Sequence, residues 1–284
     1  MTNGRPSSNG HGSGSAGGPP AWVKAAAAAP RRPQSAHGKQ FVKFSFFKVR
    51  DEVRGKGRKK RQRLGERLAE LLVDSNARML TRVYSTVGSR GDTDFLVWQV
   101  ADELDVIMDW HAELLDTKLG CALERPHSFL SMTMRSQYQN QYTPGAETRD
   151  RFRADGGTND WLFIYPMAKT KAWYQSSTTR RNKAMAEHIA VGHAYPEIKI
   201  NTTYSYGLDD QEFVVAFEGD SPGQFLALVK DLRVSDSTSF TDFDTPMFTC
   251  RRMEIGELVD QIGLGLGVRP REVASEVAAA VAGS

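Results

Sequence analysis

Thr93–Gln99 reads TDFLVWQ and Gln211–Glu218 reads QEFVVAFE. Each is a short apolar run with β-branched and aromatic side chains, which reads as a strand, and each leads into a helical pattern. The helix after the first spans about Asp102–Thr117, with Leu104, Ile107, Met108, Leu114 and Leu115 as its apolar residues. The helix after the second is Pro222–Leu232. Working outward from the first copy, Gln40–Val49 (QFVKFSFFKV) alternates apolar and polar residues as a half-buried strand does. A charged helix follows at about Lys59–Asp74, with Leu64, Leu68, Leu71 and Leu72 on one face. A strand at Arg78–Val87 turns through Gly88 and Gly91 into the strand that starts at Thr93, and Pro126–Arg135 closes the unit. Around the second copy the order recurs: strand Trp161–Pro166, helix Thr178–Val191, strands Glu197–Tyr206 and Glu212–Glu218, helix Pro222–Leu232, strand Met247–Cys250. Two βαββαβ units in tandem predict an α+β fold built from two ferredoxin-like halves.

The flanks differ in composition. Residues 1–37 are rich in Gly, Ser, Pro and Ala, with Trp22 and Val23 almost alone as large apolar side chains. Such a stretch buries too little surface to offset its chain entropy, so a disordered head is expected. The Gly/Val/Ala-rich tail, 263–284, is expected to be flexible and untied to the core. The halves then occupy 38–148 and 149–262.

The chain has 284 residues, 40% apolar and 25% charged, with a net charge of +3. These are the proportions of an ordinary globular protein, and they exclude a collagen or a wholly disordered chain. No run of about 18 apolar residues occurs, so no membrane span is expected. Met1–Pro20 has no apolar stretch of the kind a secretory signal needs. Cys121 and Cys250 cannot make a disulfide framework, which fits a reducing, cytoplasmic setting. Arg54–Arg67 carries eight Lys or Arg residues. Aromatic residues for base stacking do not interleave with them, so the stretch reads as a solvated face rather than a nucleic-acid site.

His188 lies late in the helix RRNKAMAEHIAVG, among Ala184, Ala186, Ala190 and Gly192. Small neighbours let a flat group approach the helix backbone. A histidine so placed is either a packed or surface residue or an axial ligand to haem iron. A second cluster, Arg149, Arg151, Tyr165, Lys169 and Trp173, combines cations with a phenol and an indole. Those cations suit carboxylate recognition, and Tyr165, with Pro166 after it to end the strand, could point into a cavity. The same residues also fit a solvated basic loop with an interfacial tyrosine.

The run FIYPMAKTKAWY, then RRNKAMAEHIAVGHAYPEIKINTTYSYGLDDQEFVVAFE, LVKDLR and DTPMFT resembles the chlorite dismutase-like superfamily. The first half agrees through QFVKFSFFKV, YSTVG, DFLVW and LGCAL…HSFLSM, so the likeness covers about Gln40–Glu257. The resemblance implies two ferredoxin-like halves per chain, pentameric rings and a haem held by a proximal histidine, which His188 matches. Within the superfamily the pattern is nearest to coproheme decarboxylases. Tyr165 matches their oxidisable phenol, and Lys169 the lysine beside the reactive propionate. Arg149, Arg151 and Arg233 match propionate-binding positions, and Thr238 stands where a serine is frequent. Trp173 falls in the same haem-binding set. His193 departs from the usual Gly-Arg after the proximal helix. A chlorite dismutase needs a distal arginine, and two alignments place either Ile200 or Asn201 there.

The activity so implied is hydrogen peroxide-dependent decarboxylation of iron coproporphyrin III (coproheme) to haem b through a radical on Tyr165. A coproporphyrin ferrochelatase is the implied supplier. Chlorite dismutation and a non-catalytic haem carrier or sensor are the alternatives.

Overall fold

The computed structural model describes residues 39–134 and 159–265. The first half runs β1 (Phe41–Val49), α1 (Asp51–Arg54), α2 (Arg58–Arg78), β2 (Leu80–Ser85), β3 (Phe95–Ala101), α3 (Leu104–Leu115), α4 (Lys118–Ala122) and β4 (Leu123–Met132). The second runs β5 (Trp161–Lys169), α5 (Lys171–Gln175), α6 (Thr178–His193), β6 (Lys199–Tyr204), β7 (Phe213–Gly219) and α7 (Pro222–Leu232). A 3-10 helix at Asp236–Phe240, β8 (Thr241–Phe243), β9 (Phe248–Arg252) and α8 (Ile255–Gln261) complete it. Every expected strand and helix is present, with ends shifted by a few residues. The α+β reading and the repeat therefore hold.

Each half has the same strand order, β4-β1-β3-β2 and β9-β5-β7-β6, antiparallel throughout. Two narrow seams join them: Tyr84↔Arg252 and Ser85↔Arg251 between β2 and β9, and Met132↔Tyr204 between β4 and β6. The eight strands thus close into one barrel, with β8 paired to the far end of β5. Side chains alternate across the wall, so one set from each strand fills the interior. Phe44, Phe46, Tyr84, Trp98, Phe129, Leu162, Ile164, Ala216, Phe248 and Cys250 are in that set. Near one end, buried Arg82 donates from Nη1 to Glu218 Oε2 at 3.0 Å, and Asn201 Nδ2 donates to Oε1 at 3.0 Å. The Arg82 guanidinium also lies over the Trp98 ring, 5.0 Å from its centre.

The outer faces differ between halves. In the first, Phe47, Val97, Leu68, Leu72, Ile107, Trp110 and Leu114 fill the space between sheet and helices. The segment that the repeat would assign to the second half, α8, packs on this first-half core through Leu258, Val259 and Ile262. The start of the tail follows it: Leu264 is 1% exposed, so the expectation of an untied segment fails there. Gly65 on α2 permits the contact, because a Cβ there would stand 2.7 Å from Val259 Cγ1 and 3.1 Å from Leu264 O.

Strand β5 does not stop at Pro166, as the local rule predicts, but continues to Lys169. Its pairing with β9 ends at Ile164, so Pro166 sits where β5 has a free edge on that side and its missing N–H breaks no ladder there. The basic stretch lies on the exposed side of α1 and α2, with only Arg61 among its cations half-buried. No helix among the described residues is long and apolar enough to cross a membrane.

Candidate functional site

The second half keeps open the space that the first half fills. Helix α6 buries only Ala184 and Gly192, where its counterpart in the first half, α2, buries Leu68, Leu71, Leu72 and Val73. The outer face of the β5–β7–β6 sheet is therefore left facing a cavity of about 900 Å³ beneath α6 and the segment after α7. Tyr165, Lys169, Trp173, His188, Ile200, Arg233 and Thr238 all line it. The cavity thus gathers every sequence-predicted site residue that is described. Arg149 and Arg151 lie outside the described residues.

His188 Nδ1 is 3.1 Å from the Ser235 hydroxyl. Burial, with Lys169 adding a smaller repulsion, lowers the imidazole pKa to about 4. The ring is neutral near pH 7 and holds an unprotonated nitrogen, as a metal ligand must.

Tyr165 projects from the same sheet face as Phe217, with ring centres 5.8 Å apart. Burial, reinforced by Asp244, pushes its phenol pKa well above the usual value. The phenol therefore keeps its proton.

Lys169 follows four residues later, past an irregularity in the β5–β8 register between Ala168 and Lys169. Its Nζ donates to Ser237 O at 2.7 Å, Ser237 Oγ at 3.1 Å and Thr241 Oγ1 at 3.4 Å. It also lies 5.0 Å from the Trp173 ring centre. Burial lowers its pKa to about 8, with Glu212 opposing the shift. The ammonium is thus held, and carries charge, at neutral pH.

Arg233 is ion-paired to Asp244 at 2.6 Å, so its charge is partly compensated before any anion arrives. Thr238 Oγ1 donates to Leu232 O at 2.7 Å, which closes the end of α7. Trp173 is 5% exposed and packs on Ala184 and Phe240, forming floor rather than rim.

Residues opposite one another in an antiparallel pair share a face. Ile200 pairs with Phe217 and Asn201 with Ala216, so Ile200 takes the cavity face and Asn201 the barrel side. Gly192 marks the near approach of α6: a Cβ there would stand 3.4 Å from Ile200 Cδ1.

Sequence reasoning missed Ser235 and Ser237, which bind His188 and Lys169, and Asp244, which pairs with Arg233. It also missed Arg181, a cavity cation tied to Tyr174 O and Ser176 O at 3.1 and 2.6 Å. The hydroxyl-rich run Ser235–Ser239 was the available signal, since such runs satisfy backbone groups at helix ends.

The comparisons agree with this geometry. The sequence model of the chlorite dismutase family matches residues 61–253. A coproheme decarboxylase of Mycolicibacterium smegmatis is 24% identical over 181 residues, 63% of this chain and 76% of that protein. One from Staphylococcus carnosus is 27% identical over 173 residues, 57% and 68% of the respective chains. Among solved structures, the chlorite dismutase of Candidatus Nitrospira defluvii in complex with imidazole superposes with a TM-score of 0.72 at 18% identity. That match covers 81% of this chain and 97% of the other. With the family model spanning most of the two-half barrel, the chain belongs to the chlorite dismutase family.

Proposed function

We propose that this chain converts iron coproporphyrin III to haem b by oxidising two of its propionates to vinyl groups, with hydrogen peroxide as oxidant. The observation that carries the reading is the convergence of neutral His188, protonated Tyr165 and ammonium Lys169 in one cavity. The names of the curated relatives support it. The donor set suits an iron porphyrin: an imidazole for the metal, apolar Val215, Phe217 and Ile200 for the ring, and Lys169, Arg181 and Arg233 for carboxylates.

When bound, the iron supplies the oxidising equivalents drawn from peroxide. Tyr165 gives up one electron and its phenolic proton. The resulting phenoxyl takes a hydrogen atom from the propionate β-carbon, which restores the phenol. Loss of carbon dioxide and one further electron leaves the vinyl group. Per propionic acid, one peroxide is consumed and one carbon dioxide and two waters are formed. Lys169 holds the carboxylate until it leaves, and its three donor contacts keep the ammonium in one place. Ile200 neither gives nor takes a proton, so this wall offers no acid–base help with peroxide cleavage.

The test is to titrate the purified protein with ferric coproporphyrin III, add peroxide stepwise and follow porphyrin masses. Two successive losses of a carboxyl group with its hydrogen are expected. Tight binding with an unchanged mass overturns the reading, and oxygen release from chlorite by the same sample would put chlorite dismutation in its place.

A further inference from the structure

We propose that Ser235 is a positioning residue that fixes His188 as the neutral tautomer carrying its hydrogen on Nδ1, which leaves a bare Nε2 lone pair for the cavity. The inference deepens the haem reading above and rests on it for its use, though its geometry stands without any ligand. Ser235 is 3% exposed and has a single hydroxyl hydrogen. Its Oγ donates to Leu232 O at 2.8 Å, the ordinary length of an O–H···O bond. Leu232 O belongs to the last turn of α7, where carbonyls lack helical partners. When Ser235 gives its hydrogen to Leu232 O, the 3.1 Å contact to His188 Nδ1 is made by an N–H donating to Oγ, and this is the arrangement we assign. Thr238 Oγ1 also donates to Leu232 O and lies 3.1 Å from Ser235 Oγ. Its hydrogen is therefore directed to the carbonyl, and it does not compete for the acceptor role toward the imidazole. Ser235 is also anchored from its backbone, because its N donates to the same carbonyl at 3.1 Å.

The chemistry of the acceptor matters as much as its place. An alcohol leaves the Nδ1 hydrogen on the ring. A carboxylate would draw it away and make the imidazole a stronger electron donor. Ser235 therefore selects a neutral, moderately donating ligand, which favours a higher ferric/ferrous potential than a carboxylate partner gives.

The test begins on the ligand-free protein. Nitrogen-15 NMR of the labelled imidazoles should show His188 as the Nδ1–H form. In Ser235→Ala both tautomers should be populated, whereas Ser235→Thr should keep the wild-type spectrum, and Thr238→Val should keep it as well. With coproheme bound, Ser235→Asp should lower the midpoint potential and raise the ferrous iron–imidazole stretching frequency. Ser235→Ala should weaken porphyrin binding about tenfold, the low end for loss of a ligand's orienting partner. A wild-type Nε2–H tautomer, or one unchanged in Ser235→Ala, overturns the proposal. Failure of the wild-type protein to bind coproheme would instead overturn the haem reading, with the tautomer result still standing.

Discussion

Removing the Arg82 guanidinium while leaving Glu218 in the barrel is expected to destabilise the ligand-free protein by about 3–5 kcal/mol, the range for breaking a buried pair from one side. The ion pair spans 3.0 Å, with side-chain exposures of 8% and 7%. Water therefore cannot replace the lost partner without entering the barrel. In Arg82→Met, Glu218 keeps the Asn201 amide on Oε1, while Oε2 loses its guanidinium partner. Adding Glu218→Gln removes the stranded charge and retains an acceptor for Asn201, so the double variant should recover at least half the loss. Reversible urea unfolding of wild type, both single variants and the double variant gives the coupling term, expected at roughly 2 kcal/mol. For a protein of this size the single variant should melt roughly 6–20 °C lower. A loss below about 1 kcal/mol for Arg82→Met, with additivity in the double variant, would refute the reasoning, because it would mean the carboxylate is hydrated or protonated in place.

Tyr165→Phe should bind coproheme as wild type does and form no haem b; appreciable product by mass spectrometry would remove Tyr165 from the chemistry. Ile200→Gln places a polar group on the cavity face beside Phe217 and should accelerate peroxide consumption in stopped-flow mixing, so an unchanged rate would sink the account of that wall. Burial holds the Lys169 pKa at about 8, below its ordinary value. The charged form binds carboxylate, so coproheme affinity should fall as pH rises through about 8. In Lys169→Met the affinity should be lower and flat across that range, and an identical pH profile in both proteins would assign the step to another group.

The repeat was legible because alternation in Phe41–Val49 and the apolar faces of α2 and α3 are local properties. Closure of the barrel was not. The seams Tyr84↔Arg252 and Met132↔Tyr204 join residues far apart in sequence, and no local pattern marks them. The same holds for Arg82 with Glu218, where charged side chains sit at strand positions that alternation assigns to an apolar interior. For Ile200 and Asn201, alternation states that they face opposite ways, but only the pairing with Phe217 and Ala216 says which looks into the cavity. His188, Tyr165 and Lys169 were legible through resemblance and through residue type. Ser235 was not, because its partnership with His188 depends on the chain after α7 returning beneath α6. Pro166 misled for a related reason: a local rule for ending strands gives way where a neighbouring strand has already stopped.

The return of α8 to the first half has a consequence for synthesis. The Leu68, Leu71 and Leu72 face of α2 is covered in part by Leu258, Val259, Ile262 and Leu264. At about 5–20 residues per second, the ribosome needs roughly ten to forty seconds to travel from the end of α2 to that cover. During the interval the first half leaves the exit tunnel with a greasy flank, and its second seam strand, β9, is also still missing. The nascent chain is thus prone to aggregate throughout that interval, until Leu258–Leu264 emerge, and a chaperone that masks apolar helix faces would find its target there.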